Sequence, residues 1–171
     1  EQHNEQARAW LLQRKGGKLK EWTGQWDHGV NGPLLWAADS AAVYFTAESG
    51  VAQPIWRLSP QEAVPVEVVR GPGEGGTAGD LRISGDGSTL VYARSAQTHP
   101  PTLLACKTDG TGERSLESFN NRLMGSLQMR EARSVEVQGT AGQPVQMWIV
   151  SPPGYPANTQ NNGPLMHVIH V

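Results

Sequence analysis

The sequence predicts a mainly β chain assembled from four-stranded units, on three observations. A tight polar turn runs into a short apolar strand at Ile83 to Arg94, ISGDGSTLVYAR, and the same arrangement stands at Trp36 to Ala47, WAADSAAVYFTA. Asp39 then matches Asp86, Val43 matches Leu90 and Phe45 matches Tyr92, an offset of 47 residues. Between the turns the apolar runs have strand length and β-branched or aromatic character. Twenty glycines and twelve prolines in 171 residues suit many short strands joined by turns. Four strands in a period of about 47 residues is the unit length of a β-propeller blade, and the chain holds about two and a half of them.

Taken in order, Ala9 to Trp22 (AWLLQRKGGKLKEW) is an apolar run, a Lys15-Gly16-Gly17-Lys18 turn and a weaker alternating stretch. It reads as the last two strands of a unit. The first complete unit follows, with strands expected at Pro33–Trp36, Ala42–Ala47, Gln53–Leu58 and Val64–Val69. Pro65 places the fourth at a sheet edge, because proline has no N–H to give to a ladder. Gly71 to Gly79 is a linker. Its Gly71, Gly73 and Gly76 have G-x-G-x-x-G spacing, but a turn and another strand follow instead of the helix a dinucleotide site needs. The second unit takes Asp80–Ser84, Thr89–Ser95, Thr102–Lys107 and Glu113–Leu116, with a turn at Thr108 to Gly112 before its last strand.

Beyond Leu116 the pattern changes. Residues 1–117 hold the repeat, and 118–133 are a connector with room for a helical turn. From 134 a hairpin of another kind begins, Ser134–Thr140 and Pro144–Val150 around a Gly-Thr-Ala-Gly turn. A Pro/Gly/Asn-rich loop leads to the apolar Pro164–Val171. Residues 134–171 thus read as the first strands of a new α/β sheet.

Composition excludes several classes of function. Charged residues make up 18% of the chain and the net charge is −2, so no nucleic-acid surface is indicated. No apolar run approaches the roughly 20 residues of a membrane span. The single cysteine, Cys106, follows Leu103-Leu104-Ala105 and reads as a packing residue. It leaves the compartment open between cytoplasm and periplasm. No metal or cofactor set is apparent: His167 and His170 are three apart on a strand and face opposite sides. Asp39 and Asp86 repeat at the unit period, which marks turn formers rather than a catalytic pair. Asp27 and His28 are an adjacent acid–base pair in an inter-strand loop, and His99, before Pro100-Pro101, reads as exposed. Of six tryptophans, Trp10, Trp36, Trp56 and Trp148 sit in apolar strands and are expected in the core. Trp22 and Trp26 flank a loop and are expected at the surface. Glu48 and Glu74 lie in loops.

The order of these pieces resembles one family. Repeated W-x-x-D-S-type turns come first, then Val137-Gln138-Gly139, then Val145 to Tyr155, then Pro164-Leu165 and Ile169-His170. This is similar to the prolyl oligopeptidase family of serine peptidases, in particular the acylaminoacyl-peptidase and dipeptidyl-aminopeptidase branch. The resemblance implies a partial β-propeller followed by the first strands of an α/β-hydrolase domain, and a whole enzyme that cleaves short peptides. The propeller would gate access, and a homo-oligomer is compatible. In the family the segment matching Ile169-His170 continues into a Gly-Gly-Pro turn near the oxyanion hole. Here Val171 follows, and His170 is the one residue brought near that segment. No serine lies in a G-x-S-x-G elbow: Ser84, Ser88 and Ser126 all lack the flanking glycines. By chain order the resemblance puts the catalytic Ser, Asp and His after residue 171, and this stretch alone is expected to be inactive. The alternative is a non-catalytic propeller that binds partner proteins. It would need a further blade turn near Arg133, at the next period, and none stands there.

Overall fold

A computed structural model describes residues 6–70, 76–130, 132–140 and 142–150, and the backbone of 167–168. Thirteen strands and one short helix are seen among these residues. The chain divides into two compact units. One comprises Glu1–Ser95 with Pro101–Glu117, the other Ala96–Pro100 with Ser118–Val171.

The first unit carries the repeat. β1 (Trp10–Leu12) and β2 (Leu19–Glu21) form an antiparallel pair. β3 (Asn31–Trp36), β4 (Val43–Thr46), β5 (Ile55–Leu58) and β6 (Val66–Val69) form a four-stranded sheet in chain order. β7 (Thr77–Ile83), β8 (Thr89–Ala96), β9 (His99–Lys107) and β10 (Arg114–Ser115) form a second sheet, also in chain order. The period holds strand by strand. It extends to the irregularities, since the first strand of each sheet bulges against the second, between Asn31 and Leu35 and between Gly79 and Arg82. β6 is an edge strand, as Pro65 requires. The linker is shorter than expected: β7 starts at Thr77, because Gln53 pairs with Thr77 in parallel. The Gln53 N–H donates to the Gly76 carbonyl at 3.0 Å, and its own carbonyl accepts from Ala78 N–H at 2.9 Å.

Alternation within the strands sends side chains to two apolar layers, one on each face of the first sheet. Val43, Phe45, Trp56 and Leu58 pack with Ala9, Trp22 and Trp26 on one side. Tyr44, Ile55 and Val69 pack with Ala78, Leu81, Leu90, Tyr92, Leu104 and Cys106 of the second sheet on the other. Side chains as buried as Phe45, Ile55, Leu58 and Leu90 each contribute about 1.5–3 kcal/mol relative to exposure.

The repeated turns show why the period needs its small polar residues. Asp39 Oδ1 accepts from the Ala41 N–H at 2.9 Å, and Asp86 Oδ1 from the Ser88 N–H at 3.0 Å. Asp109 does the same for Thr111 at 2.8 Å. The Ser84 hydroxyl, followed by donors from Ser88, holds the Asp86 carboxyl down at about 2. One residue on, Gly87 has φ +72°, while its counterpart Ser40 has φ +59°. A left-handed backbone costs a side-chain-bearing residue about 1–2 kcal/mol. Ser40→Gly is therefore expected to raise stability by about 0.5–1 kcal/mol, after the extra entropy of an unfolded glycine is deducted. A urea midpoint at or below that of the parent would show that position 40 is not strained.

In the second unit, β11 (Arg133–Gln138) and β12 (Pro144–Ile149) form an antiparallel hairpin, and β13 (His167–Val168) pairs with β12. α1 (Asn121–Ser126) supplies the connector's helical turn and buries no residue.

Candidate functional site

Among the described residues Arg94 is the one charged side chain that is buried. It stands on β8 two residues after Tyr92, on the face turned to the first sheet. Its Nη1 donates to Glu113 Oε1 at 2.9 Å, and its Nη2 donates to Glu113 Oε2 and to Tyr92 Oη, the latter at 3.0 Å. The Tyr92 hydroxyl donates in turn to Glu113 Oε2 at 2.6 Å. The guanidinium also lies 5.3 Å from the Tyr92 ring centroid. Each polar group therefore has a partner inside the cluster, as a buried charge requires.

The electrostatics follow from that closure. Hydrogen bonds from Arg94 hold the Glu113 carboxyl below the usual carboxylate range. Burial, then the Glu113 acceptor, pushes the Tyr92 hydroxyl far above its usual range. Burial likewise raises the Cys106 thiol. A thiol kept protonated is a poor nucleophile, and the packing role expected of Cys106 agrees with its 3% exposure. The cluster is a rivet that ties β8 to the turn before β10. It contains no nucleophile–base pair.

Sequence reasoning missed this cluster. The signal available was an arginine continuing the inward alternation Leu90, Tyr92, Arg94, at the period position filled in the first unit by Ala47.

The aromatic candidates are reassigned. Trp22 and Trp26, expected at the surface, are 4% and 7% exposed. Trp22 Nε1 donates to the Ser59 carbonyl at 3.3 Å, and Trp26 meets Trp56 and Phe45 edge-on at 4.9 and 5.7 Å. Arg8 holds their loop inward through the carbonyls of Thr23 and Trp26. Trp10 and Trp36, expected in the core, are exposed, whereas Trp56 and Trp148 are buried. The His28 ring lies 5.9 Å from that of Trp56 and nearly parallel to it, a packing role. His99 opens β9 rather than a free loop. It is half-buried, and its Nδ1 is buried without a hydrogen-bond partner among the described residues. Glu48 is exposed. Glu74, Gly71, Gly73 and His170, together with the side chain of His167, lie outside what the structure describes. No helix is long and apolar enough to cross a membrane, and no group of three metal-ligating side chains occurs, among the described residues.

No family profile and no curated protein matches the chain. Solved structures do. AtxE2 isopeptidase aligns with a TM-score of 0.69 at 16% identity, over 90% of this chain and 23% of its own. An acylaminoacyl peptidase in complex with Z-Gly-Gly-Phe-chloromethyl ketone aligns with a TM-score of 0.64 at 17% identity, over 82% of this chain and 20% of its own. Both are prolyl oligopeptidase-family peptidases. The chain has the fold of a segment of such peptidases. It spans less than a quarter of the length of either. An oligogalacturonate lyase from Vibrio parahaemolyticus also aligns, with a TM-score of 0.50 at 18% identity, over 64% of this chain and 29% of its own.

Proposed function

We propose that this chain is the part of a serine peptidase in which a substrate-gating β-propeller passes into an α/β-hydrolase domain. The two four-stranded sheets are then consecutive blades, and β1–β2 the outer half of a blade before them. The hairpin β11–β12 with β13 is the start of the hydrolase sheet. One observation carries the reading: the peptidase likeness extends over 90% of the chain. The first compact unit ends at Glu117, so that coverage requires the second unit as well. The lyase likeness, at 64%, does not require it.

The chemistry proposed for the whole enzyme is attack on a peptide carbonyl by a serine that histidine activates, with an oxyanion hole stabilising the tetrahedral intermediate. The described residues supply scaffold for this and no catalytic group. Their role is to hold blades in register, through the Asp turns, the Gln53 clip and the Arg94 cluster, so that access narrows to short peptides.

The test expresses the longest open reading frame containing these residues beside the 171-residue chain. Both are treated with a fluorophosphonate and with short acylated and free-amino peptide substrates. The longer protein is expected to be labelled and to hydrolyse short peptides, and the 171-residue chain to do neither. Labelling of the short chain, or a longer protein that neither labels nor hydrolyses, would overturn the reading and favour a binding propeller.

A further inference from the structure

The turn between β1 and β2 carries a charge that the repeat does not place there elsewhere. Residues 14–20, RKGGKLK, hold Arg14, Lys15, Lys18 and Lys20 and no acid. The Gln13 N–H donates to the Lys18 carbonyl at 2.9 Å and closes the turn. At its tip Gly16 and Gly17 have φ +94° and +62°, and nothing lies within 4 Å of a Cβ built on either. Every residue from Leu12 to Glu21 is exposed. The equivalent turn between β5 and β6 holds Glu62, and that between β9 and β10 holds Asp109 and Glu113. Neither contains a lysine or an arginine. The first sheet is covered on both faces, yet Pro60, Gln61, Ala63 and Val64 of its turn are exposed. A turn at this place in the unit therefore stays at the surface where neighbouring units are present. Arg57, Arg70 and Arg94 each pair with a carboxylate, whereas the four basic side chains of the β1–β2 turn have no carboxylate partner among the described residues.

We propose that this turn is a docking tip for an anionic phospholipid surface, with Arg14, Lys15, Lys18 and Lys20 meeting the headgroup phosphates. The chain as a whole is net −2, so its charge is separated and its field presents the tip first to a negative surface. A seven-residue turn is too small for a protein partner, since a stable interface takes about 20–30 residues from each side. No aromatic ring stands in the turn to stack a nucleic-acid base. Three of the four cations are lysines, compact point charges on flexible stems rather than the planar fork that grips one carboxylate twice. Such charges suit a surface of many mobile phosphates, where each strengthens adsorption by about fivefold. Contact of this kind is reversible and falls with salt. The inference rests on the turn alone and stands apart from the peptidase reading.

The test sediments the protein from the longest open reading frame containing these residues with vesicles of phosphatidylcholine and phosphatidylglycerol. It is expected to bind these, to ignore phosphatidylcholine alone, and to be released as sodium chloride rises from 0.05 to 0.3 M. Lys15→Gln and Lys18→Gln should each weaken the partition about fivefold, and the two together roughly 25-fold. Arg130→Gln makes the same change of charge at an exposed position of the second unit and should leave the partition as it was. Circular dichroism melts confirm that each variant is folded. Failure to sediment with the anionic vesicles, a folded double variant that binds as the parent does, or an equal loss in Arg130→Gln would each overturn the proposal. Retention on polyglutamate or an oligonucleotide without binding to vesicles would overturn it too, and assign the tip to another polyanion.

Discussion

Gly110→Ala is expected to lower stability by about 2–4 kcal/mol, the sum of a left-handed backbone and a steric clash. Gly110 has φ +84° in the turn before β10. A Cβ there would lie 2.2 Å from the Val68 carbonyl oxygen and 3.1 Å from its carbon. Those atoms belong to β6, the edge of the neighbouring sheet, where Val68 is the bulged residue between the paired Glu67 and Val69, and backbone anchored on both sides has less room to step aside than a side-chain tip has. Within its own sheet the turn is tied by Thr108 N–H to the Ser88 carbonyl, at 3.2 Å. Gly112→Ala is the control, with φ +68° and nothing within 4 Å of the added carbon. It should lose only the backbone share, about 1–2 kcal/mol. The difference between the two variants in urea unfolding isolates the sheet-to-sheet contact. Equal losses would show that the turn does not bear on Val68.

The repeat was legible in the sequence because its period rests on local chemistry. An Asp whose carboxylate caps an N–H two residues on, followed by an apolar run, is written in a dozen residues and read without knowing what lies around it. Pro65 is similar: a missing N–H sets an edge whatever packs there. The tryptophans were not legible in that way. An apolar strand announces that one face or both will be buried, but not which unit arrives to cover each. Trp10 and Trp56 have the same strand context and opposite exposure, since only Trp56 has a preceding layer of Trp22 and Trp26 over it. That layer exists because Arg8, a residue in the polar lead-in, reaches two loop carbonyls, a contact over fifteen or more positions. His99 failed for a related reason, as the proline pair after it suggested a loop while the β8–β9 hairpin extends through it. The candidate site was the least legible part. Arg94 and Glu113 are nineteen residues apart, and only the fold makes them partners.

Glu113→Ala should therefore be far more damaging than loss of a surface carboxylate. Removing one member of a fully buried ion pair costs about 3–5 kcal/mol, because the other charge is left without a partner. The Arg94 side chain is 5% exposed but that of Glu113 is 35% exposed, so water reaches the pair from one side and about 2–3 kcal/mol is expected. Replacing both charges, Arg94→Met with Glu113→Leu, should recover most of that loss, since no unpaired charge then remains and the first unit fills the Arg94 position with an alanine. The pH dependence has a definite sign. Glu113 titrates below its unfolded value of about 4.3, so its contribution is whole above that pH and fades as acid protonates it in the folded state. Tyr92 and Cys106 titrate above their unfolded values, near 10 and 8.5. Their contributions are whole below those values and fade in alkali. The parent should lose stability both below pH 4 and above pH 9, and the double variant should lose less in acid. Urea midpoints at pH 3.5, 7 and 10 decide the matter. A Glu113→Ala variant within 0.5 kcal/mol of the parent at pH 7, or a double variant as unstable as the single one, would show that the Arg94 charge finds water and that the rivet is not what joins β8 to β10.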